Sequence, residues 1–211
     1  MKEIKVEIDQ SYESAGSNQN PTWTPLRNGD IFKNYIAKKE KISDNDKNNL
    51  ENDSIGLLGK CINPNNINEV NLNSTGLCFG QIQSGKTTSM EAVFSLAADN
   101  NFKILILLTG SVGPLVVQNT SRIDKVLEDR RFEVFRNVEK EWDHSRFEET
   151  LRNHIFDWNN NEIPEDEKKT LVILSMKNPS RIKKINKLLT TFFVYIQFFF
   201  WVFGIFLATT L

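Results

Sequence analysis

The chain has 211 residues and a formal net charge of −1. This length suits one α/β domain with extensions or a fragment of a larger protein, and a near-neutral charge provides no overall field to gather nucleic acid or anionic membrane. The two cysteines, Cys61 and Cys78, lack metal-site spacing, and we interpret them as reduced thiols of a cytoplasmic protein. The amino terminus has no apolar core of the kind that signal peptides contain.

Residues 1–72 are predicted to form an N-terminal extension of helices and loops. Alternating apolar and charged residues over 4–8 indicate a half-buried strand. Helical spacing of four apolar residues predicts a short helix: Ile31, Phe32, Tyr35 and Ile36. Ser43 is a typical N-cap for a second helix that ends near Leu58, and the asparagine-rich residues 63–73 indicate a surface loop. Nothing in this extension indicates a chemical role.

The strongest motif lies in residues 80–87, which read G-Q-I-Q-S-G-K-T and match the phosphate-binding pattern G-x-x-x-x-G-K-[ST]. Glycines let backbone N–H groups turn toward an anion, and the positive end of the following helix points to the same place. Lys86 is expected to contact the β- and γ-phosphates of ATP, and Thr87 to place its hydroxyl on Mg²⁺. The predicted nucleotide-binding residues are Gly80, Gln83, Ser84, Gly85, Lys86, Thr87 and Thr88.

The context of this motif favours phosphate binding. A short apolar run over 76–79 indicates a buried strand before the loop. One helical face is predicted after it, formed by Met90, Val93, Phe94 and Ala97. The alternative interpretation is a glycine turn between a strand and a helix, with a solvated lysine.

A second candidate site follows the next strand. The apolar run over 103–108 is typical of a strand buried on both faces of a parallel sheet. Ligands bind at the carboxyl ends of such strands, so Thr109, Gln118 and Arg122 are candidate contacts for nucleic acid or for coupling to it. The alternative is a helix-capping loop with an exposed glutamine and arginine.

Residues 142–158 are predicted to form a helix that contains both histidines, His144 and His154. They are ten residues apart and have no cysteine or second histidine at ligand spacing, so we interpret them as surface or core residues rather than metal ligands. After a polar, acidic loop, residues 170–175 indicate a third buried strand.

Asn178 and Pro179 open the last helix of this domain. Its inward residues are predicted to be Ile182, Ile185, Leu188 and Leu189. Its outward residues are Arg181, Lys183, Lys184 and Lys187. This basic face is either a contact for nucleic-acid phosphates or an ordinary solvated surface.

In order, the segments 80–87, 109–118 and 175–181 resemble three motifs of the first half of a superfamily-two helicase motor. A more specific resemblance is to the Z-one domain family of prokaryotic endonuclease-like and helicase-associated ATPases. It lies in the loop Q-S-G-K-T and in the segments 97–104 and 118–124. The resemblance implies a P-loop ATPase of DNA processing or defence against foreign DNA, with ATP and Mg²⁺ as cofactors. No nuclease residue can be carried over, so no catalytic residue is assigned.

An ATPase of this kind needs an apolar strand that ends in Asp-Glu, because the Asp holds Mg²⁺ and the Glu polarises the attacking water. The predicted strands instead end in Thr109-Gly110 and Ser175-Met176. The expected place for the acidic strand is after Leu189, where the sequence changes character. This difference argues against hydrolysis by this chain alone.

The tail, residues 191–211, is rich in Phe and contains no charged residue. One interpretation is a membrane anchor, because the run is about long enough to span ~30 Å of hydrocarbon as a helix and the basic residues before it would stay cytoplasmic. A second is an out-of-frame end on a truncated gene, because phenylalanine codons are runs of T. A third is a buried helix of a larger domain.

We therefore predict an α/β fold: an incomplete P-loop NTPase-type parallel sheet with crossover helices over 73–190, plus a hydrophobic C-terminal helix. The expected function is ATP binding by a helicase-like ATPase of DNA processing. The alternatives are a membrane-anchored nucleotide-binding interaction protein without catalysis, or a non-functional truncated fragment.

Overall fold

The computed structural model describes residues 23–25, 29–40, 42–61, 63–65, 86–109, 124, 126–136, 141–192 and 202–206. The helices in these ranges are α1 (Asp30–Ala37), α2 (Asp44–Leu58), α3 (Lys86–Asp99), α4 (Glu141–Asn159) and α5 (Pro179–Phe192). The strands are β1 (Ile104–Thr109), β2 (Phe132–Arg136), β3 (Thr170–Met176) and β4 (Val202–Phe206).

The strands form one parallel sheet in the order β2-β3-β1-β4. In the register of the sheet, Ile106 of β1 lies between Ile173 of β3 and Gly204 of β4. Parallel neighbours need crossover connections, and these place helices over the faces of the sheet. The predicted α/β class and parallel sheet are confirmed.

Alternate residues of β1 enter two separate hydrophobic clusters. Leu105 and Leu107 join the cluster that contains the buried residues of α1, α2 and α3. Ile104, Ile106 and Leu108 join the cluster that contains those of α4 and α5. Because successive side chains of a strand point to opposite faces, the molecule has three layers, with the sheet in the middle.

The N-terminal helices begin and end close to where the sequence places them. Helix α1 buries Ile31, Phe32 and Tyr35, and the Ser43 hydroxyl caps α2 by accepting a hydrogen bond from the Asp46 amide at 3.2 Å. Both helices pack against α3 and share its hydrophobic cluster. In the part of the extension that the structure describes, these helices are therefore packed onto the α/β core.

One strand was not anticipated. Strand β2 lies between Val126-Leu127 and α4, where the sequence analysis assigned no element. Its sequence, Phe-Glu-Val-Phe-Arg, is rich in aromatic and β-branched residues, which was a usable strand signal. Phe132 and Phe135 are buried on opposite faces of the sheet.

The predicted C-terminal helix is wrong for residues 202–206, which form β4 beside β1. An apolar segment of five residues cannot be assigned by periodicity alone, and the free edge of β1 supplies backbone partners for a strand here. Residues 191 and 192 end α5, and the other residues of the tail lie outside the described ranges. Among the helices that the structure describes, none is long and apolar enough to cross a membrane.

A smaller correction concerns α5. Ile185, Leu188 and Leu189 are buried as predicted, but Ile182 is 36% exposed. Ile182 lies in the first turn of the helix, and the buried contacts of α5 begin only at Ile185. The predicted strands over 4–8 and 76–79 lie outside the described residues.

Candidate nucleotide site at the carboxyl edge of the sheet

Helix α3 starts at the carboxyl edge of the sheet. Residues 100–103 link its end to the start of β1, and both elements bury residues in one cluster. The helix has 14 residues and spans about 21 Å, while six residues of strand span about 20 Å. The two run antiparallel, so the first turn of α3 lies at the edge where β1 and β3 end.

This geometry locates part of the predicted site. Lys86 and Thr87 begin α3, and Thr109 is the last residue of β1, so their backbones lie at the same edge. Thr88 is half-buried in the first turn of α3. The remaining candidates lie outside the described residues: Gly80, Gln83, Ser84, Gly85, Gln118 and Arg122.

The body of α3 is held from every side. Each residue from Met90 to Ala98 is buried, because the sheet covers one side of the helix and α1 with α2 covers the other. Small residues allow this close packing, and Ser95 satisfies its hydroxyl by donating to the Glu91 carbonyl at 3.0 Å. A helix enclosed in this way fixes the position of its own N-terminus.

A polar network joins α1 to the first turns of α3. The hydroxyl of Tyr35 lies 2.9 Å from the Thr88 carbonyl oxygen and 3.0 Å from Glu91 Oε2, and it can donate to either. Lys39 Nζ donates to the same Glu91 oxygen at 2.7 Å and also lies 4.7 Å from the centre of the Tyr35 ring. Burial, with the Glu91 carboxylate beside it, raises the pKa of Tyr35, which keeps the phenol protonated as a donor.

The opposite end of α3 is also tied to α1. Asp99 accepts hydrogen bonds from the amides of Ile31 at 3.2 Å and Phe32 at 2.8 Å, at the N-terminus of α1. A carboxylate in this place satisfies free N–H groups and complements the helix dipole. Helices α1 and α3 are therefore antiparallel and joined by polar contacts at both ends.

Sequence analysis missed both of these contacts. The available signal was Glu91, which is the only charged residue between Lys86 and Asp99 in an otherwise apolar and small-residue helix. Its side chain is only 7% exposed. A carboxylate in such a segment needs a buried partner, although the sequence does not show which one.

Helix α5 begins at the same edge of the sheet. Asn178 caps it by accepting hydrogen bonds from the amides of Ser180 at 3.0 Å and Arg181 at 3.4 Å. Lys183 and Lys184 are exposed, and α5 contains no acidic residue. The second turn of α5 therefore presents exposed positive charge near this edge of the sheet.

The charges at the amino edge of the sheet are, in contrast, paired inside the protein. Glu165 accepts from Lys103 Nζ at 3.1 Å and from Lys168 Nζ at 2.7 Å. Burial lowers the pKa of Lys103. Burial alone would raise the pKa of Glu165, but the ammonium groups of Lys168 and Lys103 outweigh this effect and hold the pKa of Glu165 below its usual range. We interpret this cluster as structural.

No acid stands at the carboxyl end of β1, β2, β3 or β4. The one carboxylate within these strands, Glu133, is near the start of β2 and pairs with Lys169 at 3.0 Å. Within the described ranges, no group of three or more His, Cys, Asp or Glu side chains could hold a metal ion.

Comparisons with protein-family models, curated proteins and solved structures found no match to this chain.

Proposed function

We propose that this chain is an ATP-binding P-loop protein that acts in DNA processing or defence, of the type of a helicase-like ATPase. The observation that carries the proposal is the position of G-Q-I-Q-S-G-K-T, whose Lys86 is the first residue of α3 at the carboxyl edge of a parallel sheet. A helix N-terminus at such an edge supplies free N–H groups and a positive dipole end, which suit a triphosphate.

In this proposal the residues divide into three roles. Lys86 neutralises the β- and γ-phosphates, and Thr87 contributes a hydroxyl to Mg²⁺. Gly80, Gln83, Ser84 and Gly85 shape the loop, and Thr88 extends the first turn of α3. Mg²⁺, held by the Thr87 hydroxyl, would offset the negative charge of the phosphates.

Binding without hydrolysis is the activity that this chain's residues support. Among the strands that the structure describes, β4 is the next one after Leu189, and it lies beside β1 with the sequence Val-Phe-Gly-Ile-Phe. An acidic strand end was expected after Leu189, whereas β4 is directly followed by Leu-Ala-Thr-Thr. A group that polarises the attacking water is missing from all four described strands.

DNA is the proposed macromolecular partner, and the exposed cations of α5 favour it. They lie on a helix that starts at the same edge as α3, so one polyanion could contact α5 beside the nucleotide. Thr109, at this edge, is proposed as a further contact, and so are Gln118 and Arg122, which lie outside the described residues. The likeness to the Z-one domain family stays a prediction.

A membrane-anchored interaction protein is the weaker alternative. It requires residues 191–211 to span the bilayer as a helix, whereas residues 202–206 form hydrogen bonds to β1 as a strand. We therefore propose a cytoplasmic location, with a tail anchor formed by residues 191–211 as the alternative.

Calorimetric titration of the full chain with Mg-ATP tests the nucleotide site. We expect saturable binding that Lys86→Ala weakens by at least about tenfold, since the lysine makes charge-assisted contacts worth roughly 1.5–3 kcal/mol. Lys60→Ala, which removes an exposed lysine outside the motif, is the matched control and should bind normally. Equal affinity in wild type and Lys86→Ala would refute the site.

A further inference from the structure

The burial of the Glu91 side chain depends on α1. The carboxylate lies in the second turn of α3 and is almost fully buried. It accepts hydrogen bonds from Tyr35 in α1 and from Lys39 directly after α1. Burial of an ionised carboxylate is unfavourable without such partners. The docked position of α1 and the buried state of Glu91 therefore depend on each other.

Tyr35 connects this pair to the nucleotide site. Its hydroxyl carries one proton and lies within hydrogen-bond distance of two acceptors, the Glu91 carboxylate and the Thr88 carbonyl. Thr88 directly follows Lys86 and Thr87, the two residues proposed to bind the phosphates and Mg²⁺. A shift of Tyr35 would therefore move the backbone of the turn whose N–H groups face the phosphates.

We propose that α1 is a positioning element for the nucleotide site, with Tyr35, Lys39 and Glu91 as positioning residues that set the affinity for Mg-ATP. This inference rests on the proposed function and adds regulation to that site. Any partner or segment that displaces α1 would weaken nucleotide binding. By thermodynamic reciprocity, bound nucleotide would in turn stabilise the docking of α1.

The first test is Tyr35→Phe in the full chain, which removes only the hydroxyl and keeps the buried ring. We expect Mg-ATP affinity to fall about three- to tenfold, the size expected for one lost hydrogen bond. Lys39→Met should also weaken binding, and Lys39→Arg should restore it, because arginine keeps the cation beside Glu91. Ile185→Val, on the opposite face of the sheet, is the control for general destabilisation and should leave affinity unchanged.

The outcomes separate this inference from the proposed function. If Lys86→Ala loses binding while Tyr35→Phe and Lys39→Met bind like wild type, α1 has no positioning role and only this inference fails. If Lys86→Ala also binds like wild type, the nucleotide site itself is refuted.

A second measurement does not depend on the folding of any variant. Hydrogen exchange of the wild-type chain should show at least about threefold slower exchange for the α1 amides, residues 31–37, when Mg-ATP is bound. The amides of α4 serve as the internal reference. Unchanged exchange in α1 at saturating Mg-ATP would overturn the proposal.

Discussion

Helices α3 and α5 both begin at the carboxyl edge of the same sheet, yet their surroundings are opposite. Helix α3 is enclosed by the sheet, α1 and α2, and its residues from Met90 to Ala98 are all buried. Helix α5 buries one face only and exposes Lys183 and Lys184. The contrast indicates a division of labour, in which α3 supplies a fixed N-terminus and α5 supplies exposed positive charge.

The largest expected difference between α3 and α5 is the loss in the free energy of unfolding when an apolar side chain is removed. Phe94 of α3 is fully buried, so Phe94→Ala should lower the free energy of unfolding by about 3–5 kcal/mol through lost contacts and a cavity. Ile182→Ala on α5 should change it by less than about 1 kcal/mol, because that side chain is already partly exposed. Urea denaturation measures both, and similar losses would contradict the contrast.

The junction of α1 and α3 can be tested at Gly29. A Cβ at this position would lie 2.0 Å from Asp99 Cγ, so Gly29→Ala should displace the carboxylate that accepts from the α1 amides. We expect a loss of roughly 1–2 kcal/mol, the range for a lost helix cap. Gly56→Ala in α2 is the matched control, because nothing lies within 4 Å of its added Cβ and it should stabilise the helix by up to about 1 kcal/mol. Equal effects of the two substitutions would refute the contact.

The layer that contains α5 should also respond to acid. His154 of α4 is buried there near Glu133, Asp157 and Lys169, and burial lowers its pKa. The unfolded chain then binds the proton more tightly than the folded one, so stability is complete above about pH 6.5 and falls as pH decreases toward the folded pKa. Melting temperatures from pH 7.5 to 5.5 should fall less for His154→Leu than for wild type. The same pH slope in both proteins would rule out this residue as the source.

The double variant Lys183→Glu, Lys184→Glu is expected to change stability least. It is also the variant that is most informative about the role of α5. Glutamates at positions 183 and 184 would lie four and three residues before Lys187 on the helix, so the double variant should gain about 0.2–0.5 kcal/mol for each pair. Its affinity for duplex DNA should fall, and the dependence of binding on salt should become weaker. Chemical denaturation and fluorescence anisotropy measure the two effects, with Lys60→Glu as the charge control. Unchanged DNA binding would make the basic face an ordinary solvated surface.

Local signals predicted much of the fold. Helix α1 was predicted from the spacing of Ile31, Phe32 and Tyr35, and α2 from the cap at Ser43. Strands β1 and β3, and with them the α/β class, were predicted from continuous apolar runs. Strand β2 has only five residues, and its adjacent Val134 and Phe135 break the apolar-polar alternation that a sequence pattern needs. Strand β4 depends on pairing with β1, a long-range contact that periodicity does not encode.

The elements of the candidate site also include some that local sequence signals predict and some that depend on long-range packing. The helix that follows the motif G-Q-I-Q-S-G-K-T was predicted and is confirmed as α3, whereas phosphate binding by the motif stays a prediction. The network of Tyr35, Lys39 and Glu91 could not be predicted, because its residues are 52 to 56 positions apart and only the packing of α1 on α3 brings them together. Sequence thus indicated the candidate turn but not the contacts that hold it in place.

The most direct test of the central claim is the affinity of the full chain for Mg-ATP, measured side by side with that of Lys86→Ala. The proposal predicts saturable binding by wild type and a loss of at least about tenfold in the variant. If neither protein binds Mg-ATP, or if both bind with the same affinity, then residues 80–87 are not a nucleotide site and the account is wrong.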